Sequence, residues 1–130
     1  MKRDVLAPKG LWDSTKYHFS QAIRVREFKD LIMISGQTGI TEDFQIVEGL
    51  EAQATLSLDC IKKIITDAGG TMENIVKLNV YFLDVSQLSV FEKALAVHFP
   101  NGGYPAQTAI EVKALALPPL LIEIEAMVAL

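Results

Sequence analysis

Between Glu48 and Leu83 the spacing of apolar residues changes once, and that change leaves few folds open. Leu50, Ala54, Leu58, Ile61, Ile65 and Ala68 step by three or four, which lays one apolar stripe along a helix. Lys62, Lys63 and Asp67 fall off the stripe, and Gly69-Gly70 supplies a left-handed stop. Ile75 to Leu83 then returns to period two, with Val76, Leu78, Val80 and Phe82 on one side of a strand. A second helix follows, capped by Asp84 or Ser86, with Leu88, Phe91, Leu95 and Phe99 as its buried stripe. Pro100-Asn-Gly-Gly103 ends it.

Strands flank this centre. Phe19–Val25 alternates, and Leu31–Ile34 is an apolar run ending at Ser35-Gly36, with a turn around Glu27–Asp30 between them. Thr108–Lys113 and Leu120–Val128 are two more, separated by the stiff Pro118-Pro119 corner. The order ββαβαββ predicts an α+β domain spanning residues 1–130, a single sheet with both helices on one face. The other face is left bare. Half of the residues are hydrophobic before glycine is counted, against ~45–50% with glycine included in soluble domains. A domain of this length buries only about two-thirds of its unfolded surface, so the surplus is expected at a subunit interface.

The same composition excludes several functions. Net charge −4 and a pI of about 5.1 argue against a general nucleic-acid binder. One cysteine, Cys60, beside the helical stripe, excludes an intrachain disulfide and reads as a buried inert thiol. No apolar stretch approaches the ~18–20 residues of a membrane span, and Met1-Lys-Arg-Asp4 leads into no signal segment, so a cytoplasmic protein without membrane partners is expected. His18 and His98 match no metal-ligand spacing and read as surface or capping residues. Gly36-Gln-Thr-Gly39 lacks a phosphate-cradling pattern, and no GxSxG nucleophile is present.

The last strand is the informative one. Ile122, Ile124, Ala126 and Val128 can face the helices; Leu121, Glu123, Glu125, Met127 and Ala129 face the other way. If a partner covers that second face, its carboxylates must be paired, hydrogen-bonded or lining a wet cleft. The alternative is a strand end with solvated glutamates.

The segment Tyr104-Pro-Ala-Gln-Thr-Ala-Ile-Glu-Val-Lys-Ala-Leu, with Leu-Ile-Glu-Ile-Glu-Ala126 after it, resembles the signature of the Rid family. These are the reactive intermediate deaminases, called YjgF-type or, in an older usage, endoribonuclease L-PSP. Phe19-Ser-Gln-Ala22, Ile34-Ser-Gly-Gln37 and the helix from Gln53 into Asp-Ala-Gly-Gly70 fit the same pattern in order. The resemblance implies a chorismate-mutase-like fold, a homotrimer whose sheets form a central barrel, and metabolite clefts between subunits. It also implies hydrolysis of enamines or imines such as 2-aminoacrylate without metal or cofactor. In such enzymes an arginine after Pro-Ala grips the substrate carboxylate. A tyrosine, the Ser-Gly backbone and the first glutamate of Glu-Ile-Glu complete the pocket.

Carried over, Ser35, Gly36 and Glu123 match, whereas the arginine position holds Gln107, the tyrosine position Phe19, and a frequent asparagine Glu92. A guanidinium pairs with a carboxylate through two charge-assisted bonds, about twice as strong as those of an amide. Losing such a pair in a desolvated cleft costs about 2–5 kcal/mol, or roughly two to four decades in affinity or rate. Phe19 removes a hydroxyl, and Glu92 would repel an anion. The resemblance therefore implies a Rid-type hydrolase with altered substrate preference, Glu123 as its general acid/base, unless Arg24 or Lys113 restores the charge. A non-catalytic metabolite-binding or interaction trimer is the rival reading. An endoribonuclease is disfavoured by the charge.

Overall fold

The computed structural model describes residues 1–130. In chain order the elements are β1 (Lys2–Leu6), β2 (Ala22–Arg26), β3 (Leu31–Gln37), α1 (Leu50–Asp67), β4 (Ile75–Phe82), α2 (Leu88–His98), β5 (Ala106–Glu111) and β6 (Ile122–Ala129). Four strands form one sheet in the order β3-β6-β4-β5, antiparallel except for the β4–β5 pair that α2 connects. An α+β domain with two helices is thus observed. The expected single sheet is not. Lys2–Leu6, which shows no clear alternation, pairs with β2 as a separate antiparallel hairpin, Lys2 opposite Arg26 and Leu6 opposite Ala22. A single bridge from Ser20 to Ala106 ties the hairpin to the edge of the main sheet.

Both helices pack on one face through a continuous core. Leu58, Ile61 and Ile65 of α1 and Phe91 and Leu95 of α2 are buried against Leu78, Val80, Phe82, Ile122, Ile124 and Val128. Every expected position of the α1 stripe is buried except Ala68, which caps the helix and is exposed; Gly69 follows at φ +88°, as a left-handed stop requires. In β4 a register shift between Ile75 and Lys77 brings Ile75, rather than Val76, into the core. Asp84 caps a short 3-10 turn that runs into α2, its carboxylate accepting from the Ser86 amide at 3.1 Å.

One buried polar side chain locks the layers together. Gln53 on α1 is 1% exposed, donates from Nε2 to Val47 O and Pro119 O (both 3.0 Å), and accepts from the Leu121 amide at 2.8 Å. It thereby holds the Pro118-Pro119 corner that starts β6. The chain crosses this helix so closely at Gly39 that a Cβ there would lie 2.8 Å from Gln53 Cα. Gln53→Leu strands three backbone groups, each lost partner costing about 1–3 kcal/mol. We expect unfolding free energy to fall by about 2–4 kcal/mol after partial rehydration. Urea unfolding at fixed protein concentration measures it, and a loss under about 1 kcal/mol would show that the corner does not depend on Gln53.

Candidate functional site

The uncovered face of the sheet presents Leu31, Met33 and Ser35 of β3, Lys77, Asn79 and Tyr81 of β4, Glu123, Glu125 and Met127 of β6, and Thr108 and Ile110 of β5. Leu31, Met33, Ile110 and Met127 are 41–61% exposed, an apolar rim around a polar centre. Such a rim on a sheet is a surface shaped for burial rather than solvation.

Within that centre, Ser35, Gly36 and Glu123 come together. β3 departs from regular pairing with β6 between Ile34 and Gln37, and Ser35-Gly36 occupy the irregularity. The Glu123 carboxylate fills the space this leaves, since a Cβ built on Gly36 would sit 1.9 Å from its Oε1. Gly36 is therefore required by close approach: any side chain there would expel the carboxylate. Glu123 accepts no hydrogen bond within the chain and is half-buried, so its oxygens face the sheet surface with unfilled acceptor capacity.

The second carboxylate is treated differently. Glu125 Oε1 accepts from Tyr81 Oη at 2.6 Å and Asn79 Nδ2 at 2.9 Å. Its hydrogen bond holds the Tyr81 phenol above the usual tyrosine range, with burial and the charges of Glu125 and then Glu123 adding to the effect. Tyr81 and Glu123 are directly opposite in the β4–β6 ladder. The sequence reading passed over Tyr81 and Asn79 because it followed the buried alternation of β4. Polar residues at the alternate positions, opposite two glutamates, were the available signal.

Gln107 and Phe19 lie elsewhere. Gln107 is in register with Leu78, so it shares the helix-facing side of the sheet, whereas Glu123 shares the open side with Tyr81. Two strand spacings and three residues separate them, roughly 14 Å through the sheet by strand geometry. One chain does not bring Gln107 to Glu123. Gln107 Oε1 is buried without a hydrogen-bond partner. Phe19 precedes β2 rather than lying in a strand, and it meets Gln107's end of β5 through the Ser20 amide, which donates to Pro105 O at 3.0 Å. Glu92 is half-buried on α2, one residue past core Phe91, and makes no hydrogen bond or ion pair within the chain.

Neither Arg24 nor Lys113 pairs with Gln107 within the chain. Arg24 gives Nε and Nη2 to Asp4 at 3.1 and 2.9 Å, and that hydrogen bond lowers the Asp4 pKa. Lys113 lies beyond β5 in an exposed loop. Arg3 donates to Gly103 O (2.8 Å) and Tyr104 O (3.2 Å), just ahead of β5, so it serves the backbone, and burial pulls its pKa down. The histidines also find local partners. His18 stacks edgewise on Tyr104, and His98, neither on the surface nor a cap, joins the helices through Asp59 Oδ1 at 2.8 Å. Cys60 is half-buried rather than buried. No cluster of three or more His, Cys, Asp or Glu could hold a metal, and no helix is long and apolar enough to cross a membrane.

The family model of endoribonuclease L-PSP matches residues 13–130. The chain belongs to the Rid family. A solved structure from Yersinia pestis, of the conserved Rid protein family YyfB, superposes with a TM-score of 0.92 at 30% identity over 100% of both chains. The yeast protein HMF1 (Saccharomyces cerevisiae) is 31% identical over 100 residues, 76% of this chain and 74% of its own length. The 2-iminobutanoate/2-iminopropanoate deaminase of Escherichia coli is also 31% identical over 100 residues, covering 75% of this chain and 77% of the enzyme.

Because its pKa is raised, Tyr81 supports the fold fully below the free-tyrosine value near ~10, and this support is lost as pH climbs through the folded value. A tyrosinate absorbance titration should find one of the three tyrosines ionising late. Glu125→Gln should bring that step down. A late step that survives Glu125→Gln would mean Glu125 is not its cause.

Proposed function

We propose that this Rid protein is a homotrimer that hydrolyses small enamines or imines in clefts between subunits, with a preference shifted away from 2-imino acids. The observation that carries the reading is the Glu123 carboxylate laid over Gly36, partly buried and without an internal partner. A carboxylate so placed can orient a water beside a C=N carbon. As the new C–O bond forms at the carbon of the protonated imine, Glu123 accepts one proton of the water; it returns that proton to the carbinolamine nitrogen, and as the C–N bond breaks the hydroxyl proton passes to the departing ammonia, giving ammonium and the carbonyl compound. Ser35 and the Gly36 backbone orient the ligand, and no cofactor is required by this chemistry.

Assembly is supported by the geometry of a single chain. Glu123 and Gln107 are on opposite faces, so a small ligand touching both needs the Glu123 side of one copy against the Gln107 and Phe19 edge of the next. The apolar rim of the open face favours that burial. At the far end of the cleft Gln107 offers neutral hydrogen bonds to a carbonyl, amide or imine nitrogen. Where Glu92 reaches the cleft, its charge further disfavours a carboxylate.

Ammonia release from freshly generated 2-aminoacrylate tests the reading. We expect turnover about two to four decades below that of an arginine-bearing relative, a gain with Gln107→Arg, and loss with Glu123→Gln. Turnover matching the arginine-bearing relative would overturn the role of Gln107. Ammonia release untouched by Glu123→Gln would overturn the role of Glu123. Ligand binding with no turnover, before and after Gln107→Arg, would favour a metabolite-binding trimer, the reading that the unpartnered Gln107 Oε1 also supports.

A further inference from the structure

Just ahead of the stretch matched by the family lies the chain's single tryptophan, Trp12. It is 59% exposed, yet it is not loose. Its ring meets Phe19 edge-on at 5.6 Å and Tyr17 at 5.8 Å. Its carbonyl accepts from Gln21 Nε2 at 3.0 Å, and Asp13, the next residue, caps the 3-10 turn Ser14–Tyr17 by accepting from the Thr15 amide at 3.0 Å. Single exposed apolar residues need no explanation, but three aromatic rings in contact on a tethered loop make a patch.

The patch adjoins the Gln107 end of β5. Ser20 pairs in parallel with Ala106, so Gln21, which anchors Trp12, and Gln107 are the next residues along the two chains. Beside Trp12 is a hollow of about 250 Å³, walled by Val5, Pro8, Leu11, Trp12 and Gln21 among others. The only charged residue lining it is Asp13. Asp13 is held ionised by its hydrogen bonds to Thr15, which lower its pKa. Apolar walls, a fixed negative charge and no cation repel a carboxylate and suit an uncharged molecule carrying a ring.

We infer that Trp12, with Phe19, is a specificity-determining wall that selects neutral ligands bearing an aromatic ring, held by their amide or imine end at Gln107. This rests on the intersubunit cleft proposed above and names the class of molecule that cleft takes. Edge-on or stacked aromatic contacts add to affinity beyond area burial, so one ring against Trp12 should contribute about two- to tenfold.

Benzamide and benzoate share a ring and differ in charge, and the lone Trp12 reports on its own surroundings. With the assembled protein, benzamide should change Trp12 emission saturably and bind about tenfold or more tighter than benzoate, whose carboxylate meets the Asp13 charge and no lining cation. By calorimetry, Trp12→Ala should reduce benzamide affinity to that of propanamide, which lacks the ring, while Trp12→Phe keeps part of the difference. Equal binding of benzoate and benzamide, a ring increment that survives Trp12→Ala, or Trp12 emission shielded from a soluble quencher by a neighbouring copy would each overturn the inference. Ammonia release from 2-aminoacrylate, measured on the parent and on Glu123→Gln, separates the two claims. If it depends on Glu123 while the ring preference is absent, the wall alone fails; if it is indifferent to Glu123, the hydrolase reading fails instead.

Discussion

Two helices cover one face of a four-stranded sheet, and nothing in the chain covers the other. This one-sided layering governs what each strand can carry. The helix-facing positions of β4 and β6 are uniformly apolar, because a buried polar group there would need a partner the helices do not offer. The open-face positions mix methionine, isoleucine and leucine with glutamate, asparagine and tyrosine. A solvated sheet face has no use for the first set, and a dry interface has no use for the second unless it is satisfied. The combination fits a face that is closed by protein around a wet centre.

The two glutamates show how that centre is divided. Glu123 and Glu125 stand two residues apart on one strand and so share a face, where like charges disfavour each other. Glu125 is given two donors, Tyr81 and Asn79, and becomes a structural anion. Glu123 is given space instead, through the irregular pairing of β3 and the missing side chain of Gly36. A carboxylate kept in place by shape, with its lone pairs unspent, is what proton transfer to and from water requires. One kept in place by hydrogen bonds is less suited to it.

Much of this was legible in the sequence. Periodicity located both helices, their buried stripes and the left-handed stop at Gly69, because the helices are amphipathic and their core faces have no functional exceptions. It missed β1, whose alternation is broken by charged residues on both sides of an exposed hairpin, and it put Phe19 and Lys113 inside strands whose ends are set by pairing partners far along the chain. The family motifs identified Ser35, Gly36 and Glu123 as neighbours. They could not show that Gln107 faces the opposite side of the sheet, since register between strands 30 residues apart is a tertiary property. Tyr81 and Trp12 escaped for a different reason. Neither falls on an apolar stripe or in a motif, and each acquires meaning only from what it touches.

Gln107 brings an amide, and no charge, to the start of β5. The cations that could bring positive charge to it are otherwise engaged within the chain: Arg24 is tied to Asp4, Arg3 is turned onto backbone carbonyls, and Lys113 projects from a loop. The segment that pairs beside the start of β5, through Ser20 and Ala106, carries Phe19, with Trp12 and Tyr17 against it, and the amide of Gln21. Here the Phe19 ring, the neutral Gln107 amide, the aromatic loop and the Asp13 carboxylate beside it all act in one direction. Several positions that agree in sign define a preference for uncharged ligands more firmly than one neutral side chain could.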